Sequence, residues 1–292
     1  RINSFHSRYL FTFLSIIKAV VLARKHDLIQ TTSFNGAPPA WLAGKIVRKP
    51  VVITVHEVWI NKWKEVTDFS WFKSTLHELL EKAIYLLSYD HYICVSNATK
   101  KDLEKLSIDN TKITTIYNGL DYNFWSRSLI GDSIIRSKLR LTNNFLYFSW
   151  GRPGPTKGFE YLLKAFPIIK RNVPNASLVL MLGDVKMHQE RKDKIISLIK
   201  ELQLKDCVKI IDQLSHEEKR DFIASVDCVI IPSTSEGFGY TTVEANSLDI
   251  PVIASDIGSI PEVISGRYLL FRTKDMPDLA EKAMLAALGK YD

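Results

Sequence analysis

The chain has 292 residues, 46% hydrophobic and 24% charged, which is too long for one ordinary domain and comfortable for two of about 150 residues each. This composition excludes disordered, collagenous and coiled-coil chains. Three well-separated cysteines (Cys94, Cys207 and Cys228) with no Cys-x-x-Cys pair argue against a disulfide framework or a zinc ribbon and favour a reducing compartment, while a net charge of +7 favours anionic partners.

The charge is uneven. Residues 1–126 carry 16 basic against 11 acidic side chains, and residues 127–292 carry 23 against 21. No block of like charge resembles a nucleic-acid arm, so no nucleic acid is expected as a partner. At the amino end, residues 9–23 form an apolar run interrupted by Lys18. A membrane span needs roughly 20 apolar residues and a signal peptide needs a small-residue cleavage site. The run therefore reads as a buried helix over 5–24.

A strand is predicted at 27–32, a helix at 37–48 and a strand at 50–55. Helices at about 70–88 and 98–106 alternate with strands at 91–95 and 112–117. Short β-branched runs separated by helices imply βαβ units and a parallel sheet buried on both faces. The alternation lapses after residue 119, and residues 127–144 read as a linker between domains at 1–126 and 145–292. It resumes with strands at 145–150, 176–182, 208–211, 227–232 and 251–255. The helices between and after them fall at 158–171, 188–203, about 215–225, 241–248 and 276–289. Ser215-His-Glu-Glu218 is a capping-box start for the third of these.

In such sheets ligands bind beyond the carboxyl ends of the strands. Two segments stand there. The first, Ser149-Trp-Gly-Arg-Pro-Gly-Pro-Thr-Lys-Gly158, follows a strand and opens a helix. Gly151, Gly154 and Gly158 allow close backbone approach. Arg152 and Lys157 add two cations, so the segment suits a diphosphate, although glycine and proline also make ordinary turns. The second runs from Pro232 to Ala245 and contains Glu236, Gly237, Phe238, Gly239 and Glu244. Its backbone amides can face a ligand at a helix start. Its carboxylates suit hydroxyl groups rather than phosphate, or are simply solvated at the helix start.

Glu236 and Glu244 in an E-x7-E arrangement with Gly-Phe-Gly after the first Glu, followed by Gly258-Ser-Ile-Pro-Glu-Val-Ile264 and preceded by Gly151-Arg152…Lys157-Gly158 and Tyr117-Asn-Gly-Leu-Asp121, closely resemble the retaining GT-B glycosyltransferases of family 4. The resemblance spans about residues 50–285. It implies the GT-B fold, with two Rossmann-like doubly wound α/β domains facing a central cleft, the first of them incomplete here.

It also implies transfer of a sugar from a nucleotide-sugar donor with retention, by a front-face mechanism, in glycan, glycolipid or cell-surface polysaccharide synthesis. Residue by residue, Arg152 and Lys157 match the basic pair that holds the donor diphosphate. Glu236 matches the acceptor of hydrogen bonds from the donor sugar, and Glu244 the ribose-binding carboxylate. Gly237, Phe238 and Gly239 match the backbone near sugar and phosphates, Gly151 the glycine before the basic pair, and His56 the amino-domain histidine that faces the donor sugar. His56, Arg152, Lys157 and Glu236 would be the catalytic set.

No Asp-x-Asp motif and no His/Cys cluster is present, so neither metal nor other cofactor is expected. The acceptor is a sugar, a lipid-linked molecule or a small molecule. Residues 59–73 hold three of the six tryptophans interleaved with Lys62, Lys64 and Lys73. That mixture suits peripheral contact with the cytoplasmic membrane face, or aromatics packed on the first domain. The family's first strand and glycine-rich loop have no match, nor does its returning carboxyl-terminal helix, so the chain is expected to be truncated. Ser259 replaces the second glycine of a usual pair, and Asp249 stands where glycine often ends a helix. Two other readings keep the same motifs: a GT-B sugar-nucleotide epimerase, and a nucleotide-sugar-binding module without catalysis.

Overall fold

The short β-branched runs pair side by side in one direction. Every strand pair in the computed structural model is parallel. The structure describes residues 5–130, 134–183 and 188–292, with side chains from residue 9 onward. Contacts divide the chain into two units, Arg1–Asn118 and Gly119–Asp292.

The first unit runs α1 (Phe5–Ala23), β1 (Ile29–Thr32), α2 (Ala37–Val47), β2 (Val51–Val55), α3 (Trp63–Val66), α4 (Trp71–Leu86), β3 (His91–Cys94), α5 (Asn97–Glu104) and β4 (Ile113–Thr115). Its sheet has the order β1-β2-β3-β4. Val51, Ile53 and Val55 of β2 are buried with Tyr92 and Cys94 of β3. Helix α1 leaves Phe13, Leu14 and Ile17 at least 69% exposed. No described helix is long and apolar enough to cross a membrane.

The tryptophans of residues 59–73 divide between two environments. Trp59 and Trp63 pack edge to face, 5.0 Å apart, beside Phe34. Both donate to the buried carboxylate of Glu81, Trp59 through its backbone N–H at 2.9 Å and Trp63 through Nε1 at 2.6 Å. Trp71 and Phe72 instead open α4 and stay 71% exposed.

The second unit runs α6 (Ile135–Lys138), β5 (Phe145–Gly151), α7 (Phe159–Asn172), β6 (Ala176–Leu182), α8 (Gln189–Glu201), β7 (Val208–Ile211), α9 (His216–Ala224), β8 (Cys228–Ile231), α10 (Tyr240–Ser247), β9 (Val252–Ser255), α11 (Ile260–Val263), β10 (Tyr268–Phe271) and α12 (Met276–Ala287). Its sheet has the order β10-β9-β8-β5-β6-β7. The chain builds outward from β5 to β7, then crosses back and builds outward from β8 to β10, so β5 and β8 flank the switch point. Alternate residues feed two cores. Leu146, Phe148 and Trp150 of β5 join one cluster, while Tyr147 joins the other. Burial on both faces is what the near-continuous apolar strands require.

Of residues 119–144, expected in part as first domain and in part as linker, those described (119–130 and 134–144) belong to the second unit. Trp125 and Leu141 belong to one of its cores. Arg136 fixes the segment by donating to the carbonyls of Asn144 (2.6 Å) and Ser225 (2.7 Å) and to the Asp227 carboxylate (2.9 Å). That same carboxylate accepts the Leu146 N–H at 2.7 Å, at the starts of β5 and β8. The expected capping box is present: Ser215 Oγ accepts from the Glu218 N–H, and Glu218 accepts from the Ser215 N–H.

Burial pushes the Glu81 carboxyl up to about 7 from its ordinary value of 4.5, against the lowering effect of the two tryptophan donors. The folded protein therefore holds this proton more tightly than the unfolded chain. The group's contribution to stability is full below pH 4.5 and is lost as pH rises through 7, amounting to about 3 kcal/mol in the limit. Urea denaturation at pH 5 and pH 8 should show wild-type stability falling over this interval, and Glu81→Gln should flatten that slope. An unchanged slope in the variant would remove Glu81 as its source.

Candidate functional site

The crevice of a doubly wound sheet opens where connections leave neighbouring strands in opposite directions, here beyond the carboxyl ends of β5 and β8. The loop after β5 carries residues 152–158 into α7, and the loop after β8 carries residues 232–239 into α10. They are bound to each other along their length. The Thr234 N–H donates to the Thr156 carbonyl at 2.8 Å, and its hydroxyl to the Pro155 carbonyl at 3.2 Å. Ser255, at the end of β9, donates to the Ser233 carbonyl from below.

Glycines permit this approach and that of the loop after β9 to the loop after β8. Gly158 has φ +62°, and a Cβ there would lie 1.9 Å from the Pro232 carbonyl oxygen. Gly258 has φ +57°, and its Cβ would lie 2.3 Å from the Glu236 carbonyl oxygen. The Ser259 N–H and hydroxyl both donate to that same carbonyl at 3.3 Å. The serine that replaces a glycine thus adds a tether to the backbone of Glu236. Asp249, the other departure, adopts the left-handed conformation a glycine would take, at φ +53°, and pairs with Arg127 at 3.1 Å.

The stitched loops bring Lys157 and Glu236 together, with Nζ donating to Oε2 at 2.9 Å. Both side chains are mostly covered, at 23% and 14% exposure. Arg152 lies on the same loop as Lys157 and is exposed. Gly237, Phe238 and Gly239 are buried at the entry to α10, with Gly239 at its N-cap. Phe238 packs against Tyr240 at 5.1 Å. The start of α7 and the start of α10 thus sit side by side, each with free amides at the positive end of a helix.

Glu244 stands on α10, one turn beyond its first residue. The expected carboxylate is already partnered: Lys219 of α9 donates to both of its oxygens at 2.9 Å. Lys219 gave no signal in the sequence, because it lies 25 residues away on a different helix. His56 lies in the other unit, exposed just after β2, where its carbonyl accepts from Thr99 Oγ1 at 3.4 Å. Among the described residues, no group of three or more His, Cys, Asp or Glu side chains is arranged to hold a metal ion.

Stitched, glycine-lined loops and ion-paired side chains beyond the carboxyl ends of β5 and β8 make this switch point the candidate ligand site. Residues 132–288 match the family of glycosyl transferases group 1, and residues 2–124 match Glycosyltransferase Family 4. The chain belongs to this glycosyltransferase family.

Among its relatives is a D-inositol 3-phosphate glycosyltransferase of Nocardia farcinica, 25% identical over 91% of this chain and 60% of that protein. Another is the Schizosaccharomyces pombe phosphatidylinositol N-acetylglucosaminyltransferase gpi3 subunit, 24% identical over 66% of this chain and 40% of that protein. The chain therefore spans about half the length of these relatives. Anabaena Alr3699/HepE, solved in complex with UDP, aligns with a TM-score of 0.73 at 24% identity, covering 93% of this chain and 75% of that one. Sucrose-phosphate synthase from Thermosynechococcus elongatus aligns with a TM-score of 0.77 at 24% identity, covering 98% and 70%. Two parallel-sheet α/β units with these neighbours identify the fold as GT-B.

Gly158→Ala tests the stitched loops. It should cost about 2 kcal/mol or more in urea unfolding of the second unit, combining left-handed strain with a backbone clash. A loss under roughly 0.5 kcal/mol, typical of an uninvolved surface site, would show that the loops tolerate separation.

Proposed function

We propose that the chain is the catalytic part of a retaining glycosyltransferase that moves a sugar from a nucleotide-diphosphate donor to a sugar, lipid-linked or small-molecule acceptor. The observation that carries this reading is the Lys157–Glu236 pair at 2.9 Å, which joins the loops leading into two helices at the switch point, with Arg152 exposed on the same loop as Lys157. A diphosphate at the start of α7 would take Lys157 and Arg152 as its cations. Glu236, released from Lys157, would accept hydrogen bonds from the donor sugar, and the amides of residues 237–239 would lie near sugar and phosphate. Glu244 would accept from the ribose. As the glycosidic bond breaks, negative charge builds on the departing diphosphate, and the two cations oppose it without a metal ion.

Glu236 and Glu244 each have a ligand to hold, so neither serves as a nucleophile. That favours a front-face transfer, in which the departing phosphate takes the acceptor's proton and positioning supplies much of the rate. His56, exposed just after β2, would act on substrate from the first unit. UDP is the nucleotide of first choice, because Alr3699/HepE has been solved with it. Buried, unpaired Cys94, Cys207 and Cys228 fit a cytoplasmic setting. Exposed Trp71 and Phe72 at the start of α4 would supply a peripheral contact with the membrane face.

Glu236→Ala should abolish sugar transfer while leaving UDP affinity within about threefold of wild type. Arg152→Ala with Lys157→Ala should weaken UDP far more than uridine. Calorimetric titration and a donor-consumption assay with an acceptor library read both outcomes. Donor turnover without acceptor would favour an epimerase, and tight donor binding without turnover would favour a binding module. Equal weakening of UDP and uridine would overturn the phosphate role of the two cations.

A further inference from the structure

Lys219 is 8% exposed on α9, and its ammonium is fully engaged. Two of its N–H donors go to Oε1 and Oε2 of Glu244, both at 2.9 Å, and its nitrogen lies 4.9 Å from the centre of the Trp125 ring. Trp125 is itself 6% exposed and stands edge to face with Phe124, 5.4 Å away. Arg220 covers the Phe124 ring at 5.0 Å. Both aromatics come from the segment that enters the second unit. That segment is turned by Asp121, whose carboxylate accepts the N–H groups of Asn123 (3.0 Å) and Phe124 (3.1 Å).

A buried lysine–carboxylate pair is poor evidence for stability, because two apolar side chains of similar volume often serve as well or better. The pair's geometry suggests another use. A carboxylate has about four lone-pair sites, two on each oxygen. At 2.9 Å from both oxygens, Lys219 fills the space between them, which leaves each oxygen its outward lone pair. Those outward sites face opposite ways, so each can accept one hydroxyl, and the Trp125 ring 4.9 Å from the ammonium stands against its swinging away to meet a phosphate instead.

We infer that Lys219 is a positioning residue: backed by Trp125, it clamps the Glu244 carboxylate so that an outward lone pair is set for a ribose hydroxyl of the donor. This rests on the nucleotide-sugar reading above and adds to it a residue and a selectivity. Lys219 does not touch substrate. It acts through Glu244, and it links recognition of the ribose to the segment at residues 121–125.

The test is calorimetric titration of the full chain with UDP and with 2′,3′-dideoxy-UDP. Wild type should prefer UDP by about tenfold or more, the discrimination expected when a polar site loses its hydroxyl partners. Lys219→Met should lower UDP affinity about tenfold and dideoxy-UDP affinity less than twofold, so that the preference collapses. Lys219→Arg, which can still hold both oxygens, should keep most of it, and Glu244→Gln should lose it. Should Lys219→Met fail to fold, Lys219→Gln serves instead, since it can donate to only one oxygen and carries no charge.

Equal weakening of both nucleotides would show that Lys219 only packs the helices and would overturn the inference. An undiminished preference in Lys219→Met would overturn it as well. Both results leave the donor-binding reading intact. A wild type that binds neither nucleotide, nor GDP or ADP, would instead sink the donor-binding reading and the inference with it.

Discussion

The backbone of Gly158 runs against the Pro232 carbonyl with no room for a Cβ, and that of Gly258 runs against the Glu236 carbonyl in the same way. The first fixes the separation of two loops that leave neighbouring strands in opposite directions, and the second fixes the loop after β9 against the loop after β8. Without them the chain beyond β5 and the chain beyond β8 would be two independent turns, and Lys157 and Glu236 would be surface side chains on separate loops. With them, two helix starts are held side by side and their charged residues meet at 2.9 Å. The tight backbone packing therefore places the charges, rather than the charges drawing the loops together. An ion pair still 14–23% exposed is too weak to impose that geometry alone.

The same constraint explains which departures from the family pattern are tolerated. Ser259 stands where a second glycine is usual, yet its side chain turns back to donate to the Glu236 carbonyl. Gly258 leaves no such choice, because the clash there is with backbone and not with a flexible tip. Asp249 adopts the left-handed conformation at a cost an aspartate can bear, and its charge is answered by Arg127 and Arg267.

Strands β5, β6 and β9 were legible in the sequence because each is buried on both faces and so reads as an unbroken apolar run. Strand β10 was not, since Tyr268–Phe271 alternates between buried and half-buried positions at a sheet edge and follows Gly266-Arg267. Helices α3 and α11 span four residues each, too few for any period to show. The segment at residues 119–144 was read as first domain and linker because its apolar residues are isolated, so that no periodic face announces them. What seats it is tertiary: Arg136 gathers carbonyls from Asn144 and Ser225 together with the Asp227 carboxylate. At the site, the motifs identified Lys157, Glu236 and Glu244. They could not show that the first two pair with each other, nor that the third is held by Lys219. Those facts depend on which helices pack together, and α9 meets α10 only through the fold.

The two carboxylates of the site are thus both met by lysines, but the pairs sit in different surroundings and so have different uses. Lys157 and Glu236 lie on the two stitched loops, the first of which also carries the exposed Arg152, so a diphosphate could replace the carboxylate as the partner of Lys157. A ligand bearing both phosphate and hydroxyls satisfies the lysine and the glutamate together, whereas phosphate alone would strand a half-buried carboxylate. Used in the proposed way, the site would therefore select a molecule in which the two chemistries are joined. Lys219 and Glu244 lie between helices under the Trp125 ring, where parting them would leave a buried charge without a partner. That pair stays together when a ligand arrives, and its carboxylate offers only what the lysine leaves free. On the proposed reading, one pair would open to receive the reacting end of the donor, and the other would stay closed on the end that does not react.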